Sequence, residues 1–167
     1  QTYIYSTLGY ATHGLLDACT TYGTQLFWPF SDERVSWNNV SIVDPLFTIP
    51  LGILIAFSIK KRNKKFSFLA IGWVVFYLSF GFVQYERAYL SAKDLANSRG
   101  HRADRLTLKP SFGNLILWKA IYQHEGIYFV DAIRAGFRST WCPGETIEKF
   151  QFSEHFPVLD INSQQAK

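Results

Sequence analysis

His13 and Asp17 stand four residues apart in a stretch that reads as helix, so their side chains share one helical face. A neutral imidazole and a carboxylate placed in this way are two donors for zinc or a similar divalent ion. The same spacing also makes ordinary surface pairs on helices, so the pair alone does not define a site. A third candidate is His101, between Arg99 and Arg102 in Arg99-Gly100-His101-Arg102. It can be read as a metal ligand or a phosphate contact, or more simply as part of a helix C-terminus that favours positive charge. His124 falls in a turn and His155 in Ser153-Glu154-His155-Phe156; neither has catalytic company. Cys19 and Cys142 form no C-x-x-C, which excludes a zinc ribbon or a thioredoxin motif. An outer location would permit a disulfide between them. There is no G-x-S-x-G, no phosphate-cradling glycine loop and no H-E-x-x-H.

Two apolar stretches, 42–59 and 66–83, must position whatever site exists. Each is long enough for about 27 Å of helix, close to the hydrocarbon thickness of a bilayer. The second has no charged residue, and Gly72 and Ser79, seven apart, can mark a close helix contact. The first has Asp44 near its start and Pro50 inside, which should kink the helix or mark where its regular part begins. The fold class expected is a mainly α membrane protein with transmembrane helices and a small C-terminal β-rich extramembrane domain. A soluble helical hairpin is the competing account, and it requires the two stretches to bury one another.

The charge pattern orients the hairpin. Net charge is +4, but five basic residues lie in Lys60-Lys61-Arg62-Asn63-Lys64-Lys65, leaving 12 Lys/Arg against 13 Asp/Glu elsewhere. A nucleic-acid binder spreads its cations over a face or stripe, so no nucleic-acid partner is expected. A basic loop between two apolar stretches faces the cytoplasm. The expected protein is therefore a multi-pass protein of a bacterial inner membrane, with the site and the C-terminal domain on the periplasmic face. Membrane lipids are its expected partners, and nothing fixes an oligomeric state. The aromatic run Phe27-Trp28-Pro29-Phe30 suits a membrane interface.

Beyond the second stretch, Tyr85, Ala88, Tyr89, Ala92, Leu95 and Ala96 form a helical stripe, and Gly100 is placed to stop it. Residues 115–123 and 127–135 are rich in β-formers and flank His124-Glu125-Gly126, read as a three-residue hairpin loop. Tyr128, Val130 and Ala132 are expected on the apolar face, with Trp118 against them and Asp131 on the polar face. The organisation expected is a helical membrane domain over 1–106, a β-rich outer domain over 107–160 and a disordered tail over 161–167.

Four segments carry a resemblance to a known family. They are H-x-x-x-D followed by T-T-Y-G-T-Q-L-F-W-P-F-S, the segment Ile42 to Thr48, the helix from Arg87 ending in R-G-H, and P-S-F-G-N-L-I-L-W from Pro110. Together they resemble the YdjM-type family of bacterial inner-membrane proteins, to which metal-dependent hydrolysis is ascribed. The family is distantly similar to zinc phospholipase C and related nucleases, helical folds whose His and Asp ligands gather on neighbouring helices. The resemblance implies a membrane-bound hydrolase with a divalent metal, zinc above all, held by His13 and Asp17. It implies Asp44 as a catalytic base or further ligand, although Asp44 beside Pro45 also suits a helix N-cap. It offers Arg34 and His101 as contacts to an anionic substrate, a phosphoester or lipid; Arg34 equally suits a place among lipid headgroups. Two departures stand out. Thr20-Thr21 replaces a Thr-Pro common in the family, and an upstream H-R-G-x-T-H-S type motif is missing. The chain opens at Gln1 inside a helical pattern and contains no Met, so a C-terminal fragment lacking that motif is expected. The alternative from another class is a non-enzymatic inner-membrane envelope or stress protein whose outer domain binds a partner.

Overall fold

The computed structural model describes residues 2–149. The expectations for His155 and for the tail over 161–167 lie outside the described residues. Three helices, α1 (Thr2–Ala18), α2 (Pro45–Lys61) and α3 (Lys64–Ser98), precede four strands, β1 (Asp104–Pro110), β2 (Leu117–His124), β3 (Ile127–Ala135) and β4 (Ser139–Glu148).

Local chemistry sets the helix ends. Asp44 caps α2, its Oδ1 accepting from the amides of Leu46 and Phe47, and Pro45 follows at the first helical position, where a missing N–H is harmless. Pro50 lies inside α2 rather than at its start, one turn into a helix that continues through it. Arg62, with φ 48°, turns the chain, and Asn63 caps α3 by accepting from the amide of Lys65. Thus α2 and α3 form an antiparallel hairpin with the basic cluster at its tip; Lys61 lies over the rings of Phe57 and Phe66. At the far end, Gly100 (φ 72°) donates to the Asn97 carbonyl and His101 to that of Ala96, a Schellman stop where the sequence places one.

The hairpin is apolar on the outside. The large side chains of α2 and the first half of α3, Ile49, Ile53, Ile59, Phe68, Ile71 and Val75 among them, are exposed. The two stretches touch but do not bury one another, as a soluble hairpin would require. Of the helices within the described residues, α3 alone is long and apolar enough to cross a membrane. At 17 residues α2 spans about 25 Å, a little short of hydrocarbon thickness.

The strands make an antiparallel meander in the order β1-β2-β3-β4. The β2–β3 connection is tighter than the expected three-residue loop. His124 pairs with Ile127, leaving Glu125 and Gly126, both at positive φ (47° and 80°), as a two-residue turn of the kind that matches strand twist. One sheet face packs on the second half of α3, where Ala88, Ala92 and Leu95 meet Leu108, Trp118, Ala120, Ile133 and Ala135 in a single core. Helix stripe and sheet are therefore one packed unit.

The faces of β3 are the reverse of the expectation. Asp131 is buried on the face towards α3, with Ile133 and Ala135, whereas Tyr128, Val130 and Ala132 lie on the open face. Trp118 pairs opposite Ile133 and is fully buried on the helix side. The physical reason is Arg99, which caps α3 and pairs with Asp131, making a buried carboxylate tolerable. A bulge in the β3–β4 pairing accompanies this: Asp131 Oδ1 accepts from the amide of Gly144 at 3.0 Å, and a Cβ on Gly144 would overlap the Val130 carbonyl.

Candidate functional site

The candidate residues fall into separate places. On α1, His13 Nε2 lies 3.4 Å from Asp17 Oδ2, with side chains 69% and 47% exposed. Among the described residues no helix or strand lies close along α1; the chain is fastened just after it, where the Cys19 carbonyl accepts from the amides of Asn39 and Val40. Both members of the pair keep lone pairs free for a ligand. Among the described residues, however, no group of three His, Cys, Asp or Glu is placed to hold a metal ion. A catalytic zinc site takes three protein ligands, so the residues present fit two positions of such a site and do not complete it.

Asp44 is differently placed. It is buried; its Oδ1 holds the α2 amides and its Oδ2 accepts from the Tyr77 hydroxyl at 2.6 Å. Tyr77 belongs to a buried cluster with Cys19, Val40 and Leu115, so the end of α1, the start of α2 and the sheet loop meet around it. Asn39 enters the same region: its Nδ2 donates to the Leu78 carbonyl, and its own carbonyl lies where a Cβ on Gly81 would be 2.5 Å away. Glycine at 81 is what lets the 19–40 loop dock on α3. The N-cap reading of Asp44 describes this geometry. A base at this position would have to give up both the cap and Tyr77.

Arg34 donates to the Gly23 carbonyl at 3.2 Å and lies beside the Thr24–Val35 bridge, so it braces the loop that carries Phe27, Trp28 and Phe30. Those three rings are exposed. His101 is remote from the others. From Tyr77, level with Asp44, to Ser98, α3 rises about 30 Å, and His101 follows at that far end. There it stacks on His124 with ring centroids 4.5 Å apart, and its Nδ1 is 3.0 Å from the Tyr122 hydroxyl. His124 Nδ1 in turn accepts from the Arg102 amide. Burial, followed by the charges of His124 and Arg99, lowers the His101 pKa below its ordinary value. The hydrogen bond to Asp131 raises that of Arg99. Asp131 binds Arg99 through both oxygens, at 2.7 and 3.0 Å, and Tyr122 accepts from the same guanidinium.

Sequence reasoning missed Tyr77, Asn39 and the Arg99–Asp131–Tyr122 network. A lone hydroxyl in an apolar run and an Asp in a strand both find partners more than 30 residues away, which local spacing does not reveal. Cys19 is buried, Cys142 is exposed, and both are free thiols.

Neither a curated protein nor a solved structure matches this chain. The family model described as YdjM inner membrane protein matches residues 1–88, which takes in the His13–Asp17 helix, the aromatic loop, Asp44 and the whole apolar hairpin. With more than half its length matched in this way, the chain belongs to the YdjM inner membrane protein family.

Proposed function

We propose that the chain is a two-span inner-membrane protein, that its α1 end and its sheet stand on the outer face, and that His13 and Asp17 are two ligands of a divalent metal in a membrane-bound hydrolase. The carrying observation is the solvent-facing state of that pair: among the described residues Asp44, Asp131, His101 and His124 already hold structural partners, whereas these two are exposed donors 3.4 Å apart. Zinc suits one nitrogen and one oxygen donor, and the remaining donors would come from outside the described residues. A site beside the membrane surface favours phosphoester or lipid substrates. Asp44, Arg34 and His101 keep structural roles in this reading.

Two supports bear on the membrane part. The apolar exterior of α2 and α3 needs a non-aqueous solvent, and the basic tip at Lys60–Lys65 favours the cytoplasmic side. Exposed Cys142 on β4 should then react with a membrane-impermeant maleimide added to intact spheroplasts. Labelling only after lysis would reverse the orientation.

Metal content of the purified protein in detergent, measured by elemental analysis, tests the site. Stoichiometric zinc or manganese, lost in both His13→Ala and Asp17→Ala, is the expected result and would justify screening phosphoesters and phospholipids. A folded protein that takes up no metal when supplied with it would remove the hydrolase reading. The absence of a third donor among the described residues favours a second reading in that event, a non-enzymatic membrane protein whose outer sheet binds a partner.

A further inference from the structure

The sheet has two ends, and they differ in what they expose. The end away from the hairpin carries the Glu125-Gly126 turn and the His101–His124 stack. The other end consists of the β1–β2 loop, 111–116, and the β3–β4 turn, 136–138, where Phe137 is fully exposed, Phe112 is 72% exposed, and Ile116, also exposed, lines one hollow with Phe137. Bare phenylalanines at the tips of two neighbouring loops are not what an aqueous end of a sheet ordinarily presents.

Their height along α3 is fixed by hydrogen bonds. Gln84 Nε2 donates to the carbonyls of Leu115 and Ala135, at 3.2 and 2.8 Å, and Arg87 donates to the carbonyl of Gly136. Gly113 lies against Pro45, the first residue of α2; a Cβ there would be 3.2 Å from the proline ring. Gln84 is 20 residues beyond Lys64, the start of α3, which places it about 30 Å from the basic tip. That is the thickness of the hydrocarbon core. The two loops therefore stand at the outer edge of the hydrocarbon if the tip stands at the inner edge. Cations accompany them, with Arg134 and Arg138 exposed on the same turn and strand end, and Glu86 the acidic residue at this level of α3.

We infer that the two loop tips form a lipid anchor: Phe112, Ile116 and Phe137 enter the outer leaflet, and Arg134 and Arg138 meet its phosphates. The inference rests on the two-span reading above and adds to it a second attachment, which holds the sheet against the membrane instead of leaving it free on the end of α3. Aromatic side chains favour the headgroup boundary, and cations near it gain from anionic lipid.

Depth-dependent quenching tests the anchor. In a Cys142→Ser background, which leaves only buried Cys19, single cysteines replace Phe112, Phe137, Glu125 and Phe68. Each carries an environment-sensitive fluorophore. The protein is reconstituted in vesicles of phosphatidylethanolamine and phosphatidylglycerol containing lipid brominated high in its acyl chains. Phe112→Cys and Phe137→Cys should be quenched at least about threefold more than Glu125→Cys, because β3 alone sets the far turn about 30 Å higher. Quenching at Phe68→Cys with none at 112 and 137 would refute the anchor while leaving the spans intact, as a surface kept for a protein partner would give. No quenching at Phe68→Cys would refute the spans and the anchor together.

Discussion

The His13–Asp17 pair on α1 and the Arg99–Asp131 pair between α3 and β3 are both contacts of a base with a carboxylate, and they are opposites in every physical respect. The first joins neighbours on one helix through a single 3.4 Å contact, open to solvent. The second joins elements 32 residues apart through two bonds, with the Asp131 side chain 3% exposed. Exposed i,i+4 pairs contribute about 0.3–0.5 kcal/mol. A buried carboxylate with a fork-on guanidinium, a tyrosine on that guanidinium and a strand amide on one oxygen is a structural joint. The pair that matters least to the fold is the one with electrons left to give to a ligand.

Breaking the joint should produce the largest effect. Asp131→Ala leaves Arg99 facing Tyr122 alone and the Gly144 amide without its acceptor, and removal of one partner of a buried pair costs about 3–5 kcal/mol. Denaturant titration in detergent, followed by tryptophan fluorescence, should show that loss, and Trp118 in the same core provides the signal. A loss below about 1 kcal/mol would make the network a surface pair after all.

That joint also explains what was legible in the sequence. Local signals survived: the apolar stretches, the Gly100 stop, the β2–β3 hairpin and the N-cap alternative for Asp44 each depend on residues within a few positions of one another. The face of β3 was misread because alternation is symmetrical, and the residue that decides it, Arg99, arrives from another element. β4 was missed because Pro143 and Gly144 argue against a strand, yet an edge strand with a bulge accommodates both. The candidate site was legible only as the His13–Asp17 spacing. The separation of His101 from Asp44 follows from α3 being one unbroken helix of 35 residues, a continuation past the apolar run that the stripe from Tyr85 to Ala96 and the Gly100 stop already indicate.

Asp44 lies between the extremes of the comparison, buried like Asp131 but neutralised by amides and a hydroxyl instead of a cation. Asp44→Ala removes a cap worth about 1 kcal/mol and leaves the Tyr77 hydroxyl unpaired for about 1 kcal/mol more. Asp44→Asn, which keeps an acceptor for the cap, should lose less than Asp44→Ala. The same denaturant titration orders the two variants. Equal losses would place the importance of Asp44 in its charge.

Acid should loosen the far end of the molecule before the near end. The His101 pKa is lower folded than unfolded, so the unfolded chain binds more protons as pH falls below the ordinary histidine value of 6.5. Its contribution to stability is complete above that value and is lost as pH falls through the lowered one. The groups facing His101 are His124, Arg99 and Tyr122, with Glu125 and Asp131 opposing the shift. His124, stacked on His101, is tied to the same end of the molecule because its Nδ1 accepts from the Arg102 amide. Hydrogen exchange at pH 5 should show faster exchange at 101–104 and in the 124–127 turn than at Leu115 and Ala135, with His101→Gln reducing the difference. Uniform exchange along the sheet would mean that the stack is not the sensitive element.

The smallest effect on stability belongs to the pair with the most chemical promise. His13→Ala and Asp17→Ala should each change stability by less than about 0.5 kcal/mol, because their side chains are 69% and 47% exposed. The same two variants should abolish metal retention. This dissociation separates a ligand pair from a packing pair more sharply than either measurement alone. A structural role would move stability without metal; a ligand role moves metal binding while stability without metal stays the same. If both variants lower stability in metal-free protein by more than about 1 kcal/mol, α1 is held against other protein by this pair, and His13 and Asp17 join Asp131 on the structural side of the comparison.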